Sequence, residues 1–96
     1  RVVADRVCTG SLPGLIPVEG NGSDPMKTLA EHTFRKTLCP RMMEDFDRRL
    51  NMIIDTVKEY RVDGVVLEII KFCDHWGLEA VPLVEALRKE GIPVLR

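Results

Sequence analysis

"GVVLEIIKFCDHWG", residues 64–77, joins the most apolar run of the chain to a thiol, a carboxylate, an imidazole and an indole placed side by side. The run "VVLEII" is short, β-branched and almost continuously apolar. That pattern predicts a strand in a sheet covered on both faces, the environment of parallel strands. Parallel neighbours cannot be joined by a tight turn and need a helix-length crossover, so the flanking sequence should supply helices.

It does so on both sides. Downstream, "LEAVPLVEALRKEG" predicts a helix with Ala80, Val84 and Leu87 facing inward and Gly91 as its stop, followed by a strand at "IPVLR". Upstream, Phe46, Leu50, Ile53, Ile54 and Val57 recur at helical spacing, with Asp, Arg and Lys on the opposite face, and "RVDG" ends that helix. "LCPRM" separates it from an earlier helix, because Pro40 disfavours helical geometry at Cys39. The earlier helix starts at Asp24-Pro25, a capping carboxylate before a proline at the first helical position, and runs through "MKTLAEHTFRK" with Met26, Leu29, Ala30 and Phe34 on one face. At the start, "RVVAD" reads as a buried strand ending near Asp5. The stretch from Arg6 to Asp24 carries four glycines and two prolines and reads as a long loop.

The expected order is β-α-α-β-α-β in a single α/β domain over residues 1–96, a three-layer arrangement around a parallel sheet with right-handed crossovers. With 14 basic and 15 acidic residues the net charge is −1, which gives no electrostatic basis for binding nucleic acid or an anionic membrane. No run is long enough to span a bilayer, and the opening residues lack the apolar segment of a signal peptide, so a cytoplasmic chain is expected. The chain begins without Met in one strand-like run and stops in another, as a segment of a longer protein would. Three cysteines at irregular spacing point to reduced thiols or metal ligands rather than a disulfide framework.

In open parallel sheets, ligands bind beyond the carboxyl ends of the strands. Cys8 and Cys73 each follow a predicted strand, and Cys39 precedes the helix that returns to the second one, so the topology could bring all three to one rim. Thiolates select soft metals and iron–sulfur clusters. No C-x-x-C pair is present, however, and buried cysteine is commonly structural. His75 is a candidate acid, base or ligand, although a lone loop histidine is more often a solvated structural group. Trp76 reads as a packing residue, Asp74 as a cap for the next helix, and His32 as a surface or core-edge residue. Glu68, a carboxylate within an apolar strand, must be paired with Lys71 or Arg61, protonated, or facing a cavity. "CTGSLPG" lacks the strand–glycine–helix pattern of a phosphate loop.

Taken in order, "VVADRVCTGS", "CPRM" and "YRVDGVVLEIIKFCDHWGLEAVPLVEALRKEGIPVLR" resemble the C-terminal α/β domain of the benzoyl-CoA reductase and 2-hydroxyacyl-CoA dehydratase family, of the 2-hydroxyglutaryl-CoA dehydratase D-component type. The resemblance covers essentially the whole chain and is most specific at the strand, K-F-C-D, aromatic-Gly, helix and "GIPVL". It implies a Rossmann-like domain of a two-domain subunit carrying a 4Fe–4S cluster or, in some branches, a double-cubane cluster. It implies an acyl-CoA substrate, a homologous second subunit and an ATP-dependent iron–sulfur activator that delivers single electrons. Dehydratases of the family expel water from a 2-hydroxyacyl-CoA through a ketyl radical, benzoyl-CoA reductases dearomatise a ring, and the double-cubane branch transfers electrons. Cys73 matches the cysteine of K-F-C-D and so would be the cluster ligand from this domain. Cys8 and Cys39 match recurrent positions to which no ligand role carries over. His75 stands where proline is frequent, and "LEII" replaces a more polar run, which leaves the substrate branch open. A thiolate on a short loop before a helix N-terminus would also sit in a positive local field that favours an anionic cluster.

Overall fold

The structure is a computed structural model, and it describes residues 1–6, 18, 24–36, 39 and 45–96. The chain divides into two compact units, Arg1–Leu38 and Cys39–Arg96.

In the first unit the described element is α1, Pro25–Lys36. Its start follows the expected chemistry: Asp24 Oδ1 accepts the Lys27 N–H at 3.0 Å, and the Asp24 carbonyl accepts the Thr28 N–H at 3.0 Å. Proline at the first position loses nothing, since its missing N–H would have had no intrahelical partner. The expected apolar face is present in sequence but lies open, with Met26, Leu29 and Phe34 all exposed. His32 is half-buried, as a core-edge residue would be. The predicted strand at "RVVAD" is corrected: residues 1–6 form no strand, and Val2 and Val3 are exposed. β-Branched residues favour extended backbone, but a strand exists only where a neighbouring ladder completes its hydrogen bonds. The long loop expected after it, and Cys8 within it, lie largely outside the described residues.

The second unit contains α2 (Phe46–Tyr60), β1 (Val65–Val66), α3 (Asp74–Lys89) and β2 (Val94–Leu95). The strands pair in parallel, Val65 with Val94 and Val66 with Leu95, and the ladder is flanked by Val65 N–H to Pro93 O and Leu67 N–H to Leu95 O, both 2.8 Å. This is the β-α-β crossover predicted from residues 64–96, and it makes the unit α/β. Among the described residues the sheet has two strands and the helices pack on one side of it. Two layers are therefore on view, shorter in strand than "VVLEII" had suggested.

The core forms where the predicted faces meet. Ile54 of α2, Leu83 and Leu87 of α3 and Ile92 are buried together, with Phe46, Leu50, Ile53, Val57, Val65, Leu67, Trp76 and Val94 packed around them. Each aliphatic side chain fully removed from water contributes about 1.5–3 kcal/mol. Ala80 and Val84 are also buried, as expected. Period-two alternation puts Val65 and Val94 on this core, while Val66 and Leu95 are 73% and 67% exposed on the opposite, bare face of the sheet.

Both helices end in the same way. In α3, Gly91 has φ 76°, its N–H binds the Arg88 carbonyl, and the Ile92 N–H binds the Leu87 carbonyl at 3.0 Å. This is a Schellman stop, and it carries Ile92 directly into the core. In α2, Arg61 takes the left-handed position with φ 51°, and the Val62 N–H returns to the Val57 carbonyl. Gly64 then enters β1, where a Cβ would meet the Pro93 carbonyl oxygen at 3.0 Å, so glycine is what lets the strands meet there.

One buried interaction departs from the predicted pattern. Arg49 on α2 was expected among the polar residues of the outer face, yet it is 1% exposed and donates from Nε to Glu79 Oε1 at 2.9 Å and from Nη2 to Oε2 at 2.6 Å. Glu79 lies on α3 and is itself buried. The two charges form a bidentate pair between the helices, the geometry in which a guanidinium and a carboxylate satisfy each other best.

Candidate functional site

β1 leads through residues 67–70 to a tight turn in which the Cys73 N–H binds the Ile70 carbonyl at 3.0 Å. Phe72 completes the turn with φ 70°, a left-handed conformation rarely taken by a bulky residue. α3 starts immediately afterwards. Cys73 is its N-cap, and its carbonyl accepts the Gly77 N–H at 2.9 Å. The loop is therefore shorter than predicted: the helix begins at Asp74, not at Leu78.

That boundary reassigns three residues. Asp74 is not the cap but the first helical residue, where its carboxylate complements the positive end of the helix dipole. His75 is not a loop histidine; it occupies the first turn of α3 and is exposed. Trp76 packs against the core, as expected. Glu68 is corrected as well. It lies beyond the two-residue strand and is exposed, so water can solvate the carboxylate and neither a buried pair nor a cavity is required.

An open groove of about 540 Å³ lies over this turn, lined by Ile69, Ile70, Lys71, Phe72, Cys73, Asp74, Gly77 and Leu78. Its rim is apolar, with Ile70, Phe72 and Leu78 each more than 75% exposed, and the Lys71 Nζ stands 5.3 Å from the centre of the Phe72 ring. Cys73 carries a free, half-buried thiol on the groove wall. The site thus combines one soft nucleophilic atom, a helix start whose first N–H groups have no intrahelical acceptors, one ammonium group and an apolar lip. Such a site can accept an anion that has a greasy perimeter.

The other thiols stand apart from this description. Cys39 is free and half-buried at the head of the second unit, where its carbonyl accepts a hydrogen bond from Arg49 Nη1 at 3.2 Å. Cys8 lies outside the described residues. Among the described residues no three His, Cys, Asp or Glu side chains are grouped to hold a metal ion, so the expected meeting of three thiols at one rim is not among the described contacts. A single ligand contributed by Cys73 needs no such group, and its half-buried thiol at a helix start fits that role.

Sequence reasoning missed Arg49 and Glu79. The signal was available: Arg49 lies three residues after Phe46 and four before Ile53, and Glu79 lies three after Trp76 and four before Leu83. Each charge therefore falls within its helix's buried stripe, and the two have opposite signs.

The fold and the turn define an α/β unit in which the chain leaves a parallel strand and returns through a helix capped by Cys73, and in open α/β sheets it is the carboxyl edge of the strands that binds ligands. Over residues 1–96 the chain matches the family described as 2-hydroxyglutaryl-CoA dehydratase, D-component, and it belongs to that family. Neither a curated protein nor a solved structure matches it. The family is one of dehydratase components, which fits the resemblance carried by K-F-C-D and its neighbours. Among the described residues no helix is long and apolar enough to cross a membrane.

Proposed function

We propose that this chain is the cluster-bearing C-terminal domain of a 2-hydroxyacyl-CoA dehydratase subunit, with Cys73 as its iron ligand. The observation that carries the reading is the position of Cys73: a half-buried free thiol capping α3, on the wall of the groove at the end of a parallel strand. A bound 4Fe–4S cluster would supply a single electron of low potential for radical elimination of water from the acyl-CoA. The chain's own residues have simpler tasks. The Cys73 thiolate would hold iron, the start of α3 and Lys71 would offset negative charge, and Ile70, Phe72 and Leu78 would restrict water at the rim. The remaining ligands would come from outside the described residues.

In this reading residues 1–96 form one three-layer, Rossmann-like domain of a longer subunit. The bare apolar face at Val66 and Leu95 fits a sheet that takes a further layer there. The partners would be an acyl-CoA, a homologous second subunit and an ATP-dependent iron–sulfur activator, in the cytoplasm.

The test is iron and acid-labile sulfide content, with absorption spectra, on the full-length protein prepared without oxygen, beside its Cys73→Ala variant. The wild type should hold a cluster that the variant loses, and with activator and ATP it should consume a 2-hydroxyacyl-CoA. Equal iron in both proteins, or none in either, would overturn the assignment of Cys73.

A further inference from the structure

Arg49 donates in two directions. Its Nε and Nη2 edge is occupied by the Glu79 carboxylate, while Nη1 reaches the Cys39 carbonyl. Arg49 is one of the three largest fully buried side chains of the described residues, with Leu83 and Leu87. A buried guanidinium cannot leave its carboxylate without stranding two charges in a poorly solvating interior. Glu79 therefore fixes the plane of the guanidinium relative to α3, and the Nη1 donor that reaches Cys39 is fixed with it. The apolar contacts of Ile54, Leu83 and Leu87 already join α2 to α3, so helix packing alone does not call for a third donor aimed at a carbonyl outside both helices.

We propose that Arg49 and Glu79 are a positioning pair: Glu79 orients Arg49, and Arg49 holds the backbone of Cys39, so that the Cys39 thiol keeps a set place relative to the helix that Cys73 caps. The inference rests on these contacts and not on the cluster reading, and it stands even if Cys73 binds no iron.

The experiment measures the native-state alkylation rate of Cys39 by iodoacetamide, read by mass spectrometry in the reduced full-length protein, together with the global unfolding midpoint. The variants are Glu79→Gln, Arg49→Lys and the double variant Arg49→Met with Glu79→Leu. Loss of a hydrogen bond from a charged donor should change the Cys39 rate about tenfold in each. The apolar double variant separates positioning from stability, because buried ion pairs can be replaced by well-packed apolar residues without loss of stability. It should keep the midpoint and still change the Cys39 rate. A wild-type rate in a double variant that keeps its midpoint would overturn the proposal, as would rates that change only in step with falling midpoints. Should the double variant not fold, Arg49→Lys decides: lysine can reach Glu79 but lacks the planar third donor, so an unchanged rate there counts against positioning. The iron content of Cys73→Ala, measured separately, tests the cluster reading and does not bear on this one.

Discussion

Arg61 and Gly91 perform the same task at the ends of α2 and α3, and only one of them has the residue type suited to it. The left-handed backbone at Arg61, φ 51°, crowds a Cβ against the following carbonyl at a cost of about 1 kcal/mol, whereas Gly91, at φ 76°, has no Cβ to crowd. Arg61→Gly should therefore raise the stability of the protein by up to about 1 kcal/mol, read from the urea midpoint at unchanged m-value. Gly91→Ala should lower it by a similar amount, and equal effects of one sign would show that the termini do not control stability in this way. At the same scale, Arg49 and Glu79 show where the sequence was readable and where it was not. The apolar stripe around Arg49 was legible from spacing, whereas that around Glu79 was not, because Trp76 was expected in the loop before α3. What spacing on one helix does not encode is the partner, because a charge inside a stripe becomes tolerable only when an opposite charge thirty positions away arrives in bidentate geometry.

Helix α3 illustrates the limits of reading elements. Its inward residues Ala80, Val84 and Leu87 and its stop at Gly91 were legible, because periodicity and a left-handed glycine are local signals. Its start was not. The turn at Phe72 contains no glycine or proline to mark it, so the helix begins four residues earlier than the change in hydrophobicity suggests, and Pro82 falls well inside it. Proline there has no N–H to offer the Leu78 carbonyl and crowds it. Pro82→Ala should stabilise the protein by on the order of 1 kcal/mol, the intrinsic penalty being larger but partly offset by the stiffness proline gives the unfolded chain. The gain is to be read as an increase in the thermal midpoint, and a decrease would mean that the proline ring at position 82 is needed for packing. The "RVVAD" run fails for the opposite reason: its strand propensity was legible, but pairing is a property of two segments. The place of Cys73 after the strand was legible from order alone, but its capping role was not, because the cap was expected at Asp74.

At the scale of the molecule, one face of the sheet is bare at Val66 and Leu95, and the groove rim exposes Ile70, Phe72 and Leu78. Α net charge of −1 over 96 residues provides almost no mutual repulsion between copies. The consequence is colloidal. Expressed alone, the 96-residue chain should scatter light increasingly with concentration, and added salt should worsen this by strengthening apolar association. Val66→Lys with Leu95→Glu, which places opposite charges on the two outward positions of paired strands, should suppress the scattering while leaving the buried core untouched. Scattering that persists undiminished in that variant would direct attention away from the sheet and toward the groove rim. If that variant stays clear, turbidity of the chain in isolation is a property of its bare face and not a sign that the fold has failed.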